Sequence, residues 1–226
     1  MLKNIETYRK KLDLLVVVDN SDKPNNFVLD KLVKLNNIKI ISMHGNQGIA
    51  FALNQILNWA KSQRYSWVLT MDQDSICSVN MIDEYLKYIN DQKIALICPF
   101  VLNNGKITFD EYNKMKLPKV NNIIDPVKCI TSGCLTNVKI VDKLGGFNDK
   151  LFINCVDVDL NCRVIENGYK IIRVNTAYMI QQMGKGKKIK LFEYIQHLTG
   201  MNLFRRSKVI AVYSNKRLYY YSRNSR

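Results

Sequence analysis

Trp67-Val68-Leu69-Thr70-Met71-Asp72-Gln73-Asp74-Ser75 is an apolar run that ends on two carboxylates. A run of this length and composition predicts a buried strand, and its acidic end predicts a site at the strand's C-terminal edge. Side chains alternate along a strand, so Asp72 and Asp74 are expected on one face. Two like charges that close repel unless a cation lies between them. Hard carboxylate oxygens suit Mg²⁺ or Mn²⁺, ions that commonly bind together with substrate phosphates. The chemistry indicated is that of a metal-bound nucleotide diphosphate. An Asp-x-Asp pair alone is a weak signal, so its weight depends on what surrounds it.

Working upstream, Leu12 to Val18 reads as a second buried strand, ending in the turn-rich Asp19-Asn20-Ser21-Asp22-Lys23-Pro24. Ile38 to Ser42 is a third strand, followed by Asn46-Gln47-Gly48 and a helix with Ile49, Leu53, Ile56, Leu57 and Ala60 on one face. Downstream, Met81, Ile82, Tyr85, Leu86 and Ile89 mark another helix, and Ile94 to Phe100 another strand. Strands alternating with helices predict an α/β fold with a doubly wound, mainly parallel sheet. Ligands of such sheets bind beyond the C-terminal ends of the strands, where Asp19, Asn46 and Asp72 all fall. Residues 103–128 read as an irregular excursion or lid. Beyond them come Thr131-Ser132-Gly133, a short helix near 140–144, and Gly145-Gly146-Phe147 as a helix stop. Val156, Leu160 and Val164 recur at helical spacing, and Asp157 falls near that helix's N-terminus, where the dipole favours a carboxylate. Asp159 is expected to pair with Arg163 one turn on.

Composition narrows the class. The chain has 226 residues, 47% of them hydrophobic, enough for a substantial core. Its longest apolar runs are too short to span a bilayer, and the N-terminus lacks the apolar core of a signal peptide. The six cysteines form no CxxC pair and read as reduced core residues of a cytosolic protein. The net charge of +15 is concentrated after Gly184, where Lys and Arg interleave with Phe and Tyr. Such a segment suits an anionic membrane surface. Nucleic acid is not the expected partner, because no RNA- or DNA-binding motif accompanies the charge. Residues 1–184 are therefore read as the catalytic domain, with a nucleotide-sugar half to about 102 and an acceptor half over 103–184. Residues 185–226 form a basic, aromatic-rich tail.

Taken in order, Val16-Val17-Val18-Asp19-Asn20-Ser21, Asn46-Gln47-Gly48-Ile49-Ala50, Asp72-Gln73-Asp74-Ser75, Thr131-Ser132-Gly133, Gly145-Gly146-Phe147, Val156-Asp157-Val158-Asp159 and Arg217-Leu218-Tyr219-Tyr220-Tyr221-Ser222-Arg223-Asn224 resemble a known family. It is the family-two inverting glycosyltransferases of GT-A fold, and the likeness is greatest to their bacterial rhamnosyltransferase branch. The resemblance implies transfer of a sugar, rhamnose among the candidates, from a dTDP- or UDP-sugar to a surface polysaccharide or a polyprenyl-linked acceptor. It implies that Asp19, Asn46, Gly48, Asn54 and Asp72 serve the nucleotide-sugar. Asp74 would hold Mg²⁺ or Mn²⁺, and Asp157 would be the general base. Thr131, Ser132 and Gly133 would lie near the sugar and acceptor. The implied location is cytoplasmic, peripheral at the inner face of the plasma membrane.

The chain also departs from the family pattern. Only about a dozen residues precede the Val-Asp-Asn strand, so the usual first strand is expected to be lacking, with Ile5, Tyr8 and Leu12 as the remnant of the helix after it. Gln181 stands where a metal-binding His is common, and Leu160 where a Trp is common. These departures keep a second expectation open, a truncated glycosyltransferase-like protein that binds without turnover.

Overall fold

The computed structural model describes residues 2–103, 107–181, 186–188, 209–211 and 214–224. The basic stretch 189–208, with Lys190, Arg205, Arg206 and Lys208, and the expected domain boundary at Gly184 lie outside the described residues.

Helix α1 (Leu2–Tyr8) leads into β1 (Leu15–Asp19), α2 (Asn26–Val33) and β2 (Ile38–Ser42). The run Leu15–Asp19 pairs in parallel with Ile38–Ser42, as two apolar runs joined by a helical crossover should. Helix α3 (Ile49–Ser62) follows, burying Ala50, Leu53, Leu57 and Ala60 at the spacing expected of its seam. Then come β3 (Trp67–Thr70), β4 (Ile76–Cys77), α4 (Met81–Leu86) and the ten-residue β5 (Ile94–Asn103).

Residues beyond Lys106 are more ordered than an excursion. They hold α5 (Phe109–Lys114), started by a Thr108–Glu111 capping box, and β6 (Val120–Asn122). The chain continues through β7 (Cys134–Asn137), α6 (Val138–Lys143), α7 (Val156–Glu166) and β8 (Lys170–Gln181). Two short strands, β9 (Gly186–Lys188) and β10 (Val209–Ala211), pair antiparallel, and α8 (Asn215–Asn224) comes last.

The α/β architecture is the expected one, but the sheet is mixed. Its order is β3-β7-β5-β8-β4, with β6 also on β8. Strands β5 and β8 are parallel, whereas β7 enters antiparallel between β3 and β5. Antiparallel insertion follows from connectivity, because β7 returns from the 103–133 segment rather than through a helical crossover. One core packs α3, α6 and α7 on one face of the sheet. The other packs α1, α2 and α4 on the opposite face.

Among the described residues β1–β2 form a two-stranded sheet separate from the six-stranded one. Leu15 donates its N–H to Asn37 and Asp19 accepts from Met43, so alternate residues of β1 bond β2 and Val16 and Val18 point the other way. Ser66 and Thr70 accept from Val138 and Gly133, so Trp67 and Leu69 of β3 likewise turn their backbone groups away from β7. A strand-wide gap lies where the first strand was expected to be lacking. Ile5 and Tyr8 of α1 are buried against it, as the helix remnant was expected to be. Four of the six cysteines are buried, and all six are free.

Candidate active site

A cleft of about 460 Å³ runs from this gap to the C-terminal ends of β1 and β3. Its polar rim is Asn20 and Ser21 beyond β1, Asp72 and Gln73 beyond β3, and Thr131. Thr131 also lines a small neighbouring recess with Thr70, Asp157 and Asn161. The two βα loops and the start of α7 thus converge on one place, as strand C-terminal ends do in open α/β sheets.

The acidic pair does not share a strand face. Strand β3 stops at Thr70, and Asp72 to Ser75 form a turn closed by the Ser75 N–H donating to the Asp72 carbonyl at 3.2 Å. The carboxylates still approach each other. Asp72's pKa is raised, first by loss of hydration among the cleft walls although solvent reaches one side of it, then by the charges of Asp74 and Asp157. Asp157, half-buried in the first turn of α7, also has a raised pKa. Lost hydration is the larger cause, and the N–H groups of Val158 and of Asp157 itself oppose it. Three carboxylates from two elements therefore face one region.

Ser132 stands apart from its expected place near the acceptor. It is 2% exposed; its hydroxyl accepts the Asp72 N–H at 3.0 Å and lies 2.9 Å from the Ser75 hydroxyl. It braces the acidic turn from behind. Gly133 has φ +73, and a Cβ there would meet Met179 Sδ at 2.8 Å, so it answers to packing. Its carbonyl accepts the buried Tyr85 hydroxyl at 2.8 Å. Thr131 is the member of the triplet that reaches the cleft.

The nucleotide-side expectations divide in the same way. The Asp19 carboxylate ends β1 and accepts the Ser21 N–H at 3.2 Å. Asn46 is exposed and accepts the Gly48 N–H at 3.1 Å. Gly48 is buried with φ +91, and a Cβ would stand 2.8 Å from both the Phe152 ring and its carbonyl oxygen. It is a point of backbone contact between loops. Asn54 does not line the cleft. Its amide donates to Phe147 O at 2.8 Å and Asp149 at 2.6 Å, and its oxygen accepts from Phe147 N. Those bonds tie α3 to the loop after α6.

Asn20 was not singled out in the sequence. Its side chain bridges the two loops, accepting from Gln47 N at 2.8 Å and donating to Gly48 O at 3.0 Å. Its place directly after the Asp that ends a strand was the available signal. Asp159 takes both Arg163 Nε and a terminal guanidinium nitrogen, at 3.0 and 2.6 Å, as the i, i+4 spacing predicts.

Among the described residues no cage of three or more His, Cys, Asp or Glu side chains forms. Asp72 and Asp74 together nevertheless fit a divalent cation that takes its other ligands from substrate and water. Gln181 ends β8 one residue past Ile180, the partner of Ile76 in β4, which places it beside the acidic turn.

A mixed α/β sheet with an acidic turn at its C-terminal edge and a further carboxylate on a facing helix defines a glycosyltransferase of the GT-A class. Solved structures of that class share the fold. They include GalNAc-T7 with UDP, GalNAc and Mn²⁺ (TM-score 0.62, 15% identity, 80% of this chain and 40% of that one). The mannosyltransferase PcManGT of Pyrobaculum calidifontis with GDP-Man and Mn²⁺ has TM-score 0.61 and 18% identity, over 81% and 52%. S. aureus TarS with UDP-GlcNAc has TM-score 0.62 and 15% identity, over 82% and 55%. The chain thus spans about half the length of these proteins. The sequence profile of glycosyl transferase family 2 matches residues 2–144, and the chain belongs to that family. It is 24% identical to the dTDP-rhamnosyl transferase RfbF of Shigella flexneri, over 93% of this chain and 69% of that protein.

Proposed function

We propose that this protein transfers a sugar from a nucleotide-diphosphate donor to a saccharide or lipid-linked acceptor, with inversion at the anomeric carbon. The observation that carries the reading is the convergence of Asp72, Asp74 and Asp157 on one region at the cleft's mouth. The nucleotide lies along the cleft between Asn20–Ser21 and Asp72–Gln73. Asp74, with Asp72 beside it, holds a divalent cation, which supplies neutralisation of the charge growing on the leaving diphosphate. Asp157 receives the proton of the attacking hydroxyl, and its raised proton affinity suits a base working near neutral pH. A retaining mechanism would need a second free carboxylate close by. Asp159, the nearest in sequence, is held by Arg163 and Asn148.

Similarity to a dTDP-rhamnosyl transferase makes dTDP-rhamnose the first donor to try. A peripheral position on the inner face of the plasma membrane is part of the proposal. Leu218, Tyr219 and Tyr221 of α8 are exposed beside Lys216 and Arg223, a composition suited to an anionic interface. No helix among the described residues is long and apolar enough to cross a membrane.

Calorimetric titration with UDP and dTDP, with and without Mn²⁺, tests the reading. Metal-dependent binding of either is expected, weakened at least about tenfold in Asp74→Ala, the loss of one charged ligand. Equal donor affinity of that variant and the wild type would remove Asp74 from the metal site. A second reading, a binding protein without turnover, is favoured by the gap between β1 and β3. Donor binding without transfer to any acceptor would support it.

A further inference from the structure

The last helix reaches the loop that launches α7. Asn224 Nδ2 donates to the carbonyls of Ile153 at 2.8 Å and Asn154 at 3.1 Å. Arg223 donates to Lys150 O, and Asn154 Nδ2 donates to Arg217 O at 3.2 Å. Tyr220 stacks on Phe152 with ring centroids 4.9 Å apart and planes within 16°. Lys216 Nζ lies 4.7 Å from the centre of the same Phe152 ring.

The loop so gripped holds an unusual backbone. Asn154 and Cys155 are both left-handed, with φ +66 and +58. Non-glycine residues rarely adopt that region, two in succession less so, and they persist where their surroundings hold them. Cys155 is the residue from which α7 starts, and its side chain makes no capping bond. Asp157 follows two residues later. The conformation of the Asn154–Cys155 step therefore sets the direction in which α7, and with it the Asp157 carboxylate, enters the site. On its inner side the same loop meets the nucleotide-side loop, since Phe152 O accepts the Ile49 N–H at 2.8 Å and Phe152 fills the space left by Gly48.

We infer that α8 is a clamp on the left-handed Asn154–Cys155 step, and that Asn224 and Tyr220 are positioning residues for Asp157. The inference rests on Asp157 as the base of the reaction proposed above, although the clamp itself can be read without turnover. Asn224 caps two carbonyls that the turn leaves without helical partners, and Tyr220 fixes Phe152 from outside while Gly48 fixes it from inside. Loss of either grip lets the step relax to right-handed φ, which swings the first turn of α7.

The test uses the full chain with Asn224→Ala, Tyr220→Ala and Cys155→Gly, singly and with Asn224→Ala and Cys155→Gly combined. Glycine adopts positive φ without strain, so it should hold the step with less need of the clamp. Amide exchange over residues 153–158 is followed together with the ¹³C-carboxyl titration of Asp157. Both single α8 variants should speed exchange there and bring the Asp157 titration toward the ordinary carboxylate range. In transfer assays kcat should fall about tenfold with donor KM little changed, the pattern of a misplaced group rather than of a lost binding contact. Cys155→Gly in the Asn224→Ala background should restore at least half of each effect. Unchanged exchange and titration in both α8 variants overturn the clamp, as does failure of Cys155→Gly to restore either. A wild-type chain without transferase activity would overturn the reaction and leave the exchange and titration results to decide the clamp alone.

Discussion

Asp157 illustrates how a single side chain's surroundings set its chemistry. Lost hydration outweighs the N–H groups of the first helical turn, so its carboxyl holds a proton to higher pH than a free aspartate. Activity should therefore fall as pH drops through a value above the ordinary carboxylate range, because the base is then protonated. A pH profile of kcat checks this, and an acid limb at the pKa of an unperturbed Asp would contradict it. Stability runs the opposite way. The folded protein binds this proton more readily than the unfolded chain, so the contribution of Asp157 to stability declines as pH rises from the unfolded pKa through the folded one. Asp157→Asn should lower kcat by about 10²–10⁴, the usual worth of a general base, with donor affinity retained. Gly48 is a residue-scale case of another kind. Gly48→Ala combines a strained φ with a Cβ 2.8 Å from the Phe152 carbonyl oxygen, and should cost about 2–3 kcal/mol in urea denaturation.

At the scale of elements, α7 is a scaffold as much as a bearer of a carboxylate. Asn161, 1% exposed on its inner face, donates to Pro126 O at 2.7 Å and Cys129 O at 2.6 Å. The approach to Thr131 is thereby pinned to the helix that carries Asp157. Asn161→Ala leaves two carbonyls without that donor and should destabilise by about 2–3 kcal/mol, read as a lower denaturation midpoint. The sequence gives little hint of this role, since Asn161 reads as one polar residue in a helical pattern. The Ser132 bond to Asp72 N was equally hidden. Its hydroxyl looks like a site group in sequence, and only the antiparallel return of β7 turns it to the back of the acidic turn. The Asp159–Arg163 pair was legible because its geometry is local to one helix.

Across the whole molecule the two sheets share a cleft but no hydrogen bonds among the described residues. Unpaired strand edges exchange their amides quickly, whereas laddered ones are protected. The amides of Val16, Val18, Trp67 and Leu69 should exchange far faster than those of Val17 and Val68, as measured by hydrogen exchange with NMR. Protection of all six would mean that the gap is closed in solution. The gap also bears on function, since its upper end is the cleft in which the nucleotide is proposed to lie.

Sequence by itself determined the local features of this protein: strands from apolar runs, α3 and α7 from 3.6-residue spacing, and the acidic turn from its place after β3. Each depends on contacts within a few residues, so periodicity and composition suffice. Which polar groups face the cleft was decided by tertiary structure. Asn54 and Ser132 are turned to bracing, and Asn20 to bridging two loops, by partners 27 to 95 residues away. The mixed sheet and the grip of α8 on the Asn154–Cys155 step have the same origin. Hydrogen bonds between distant segments exist only once the chain has folded, and no spacing along the sequence records them.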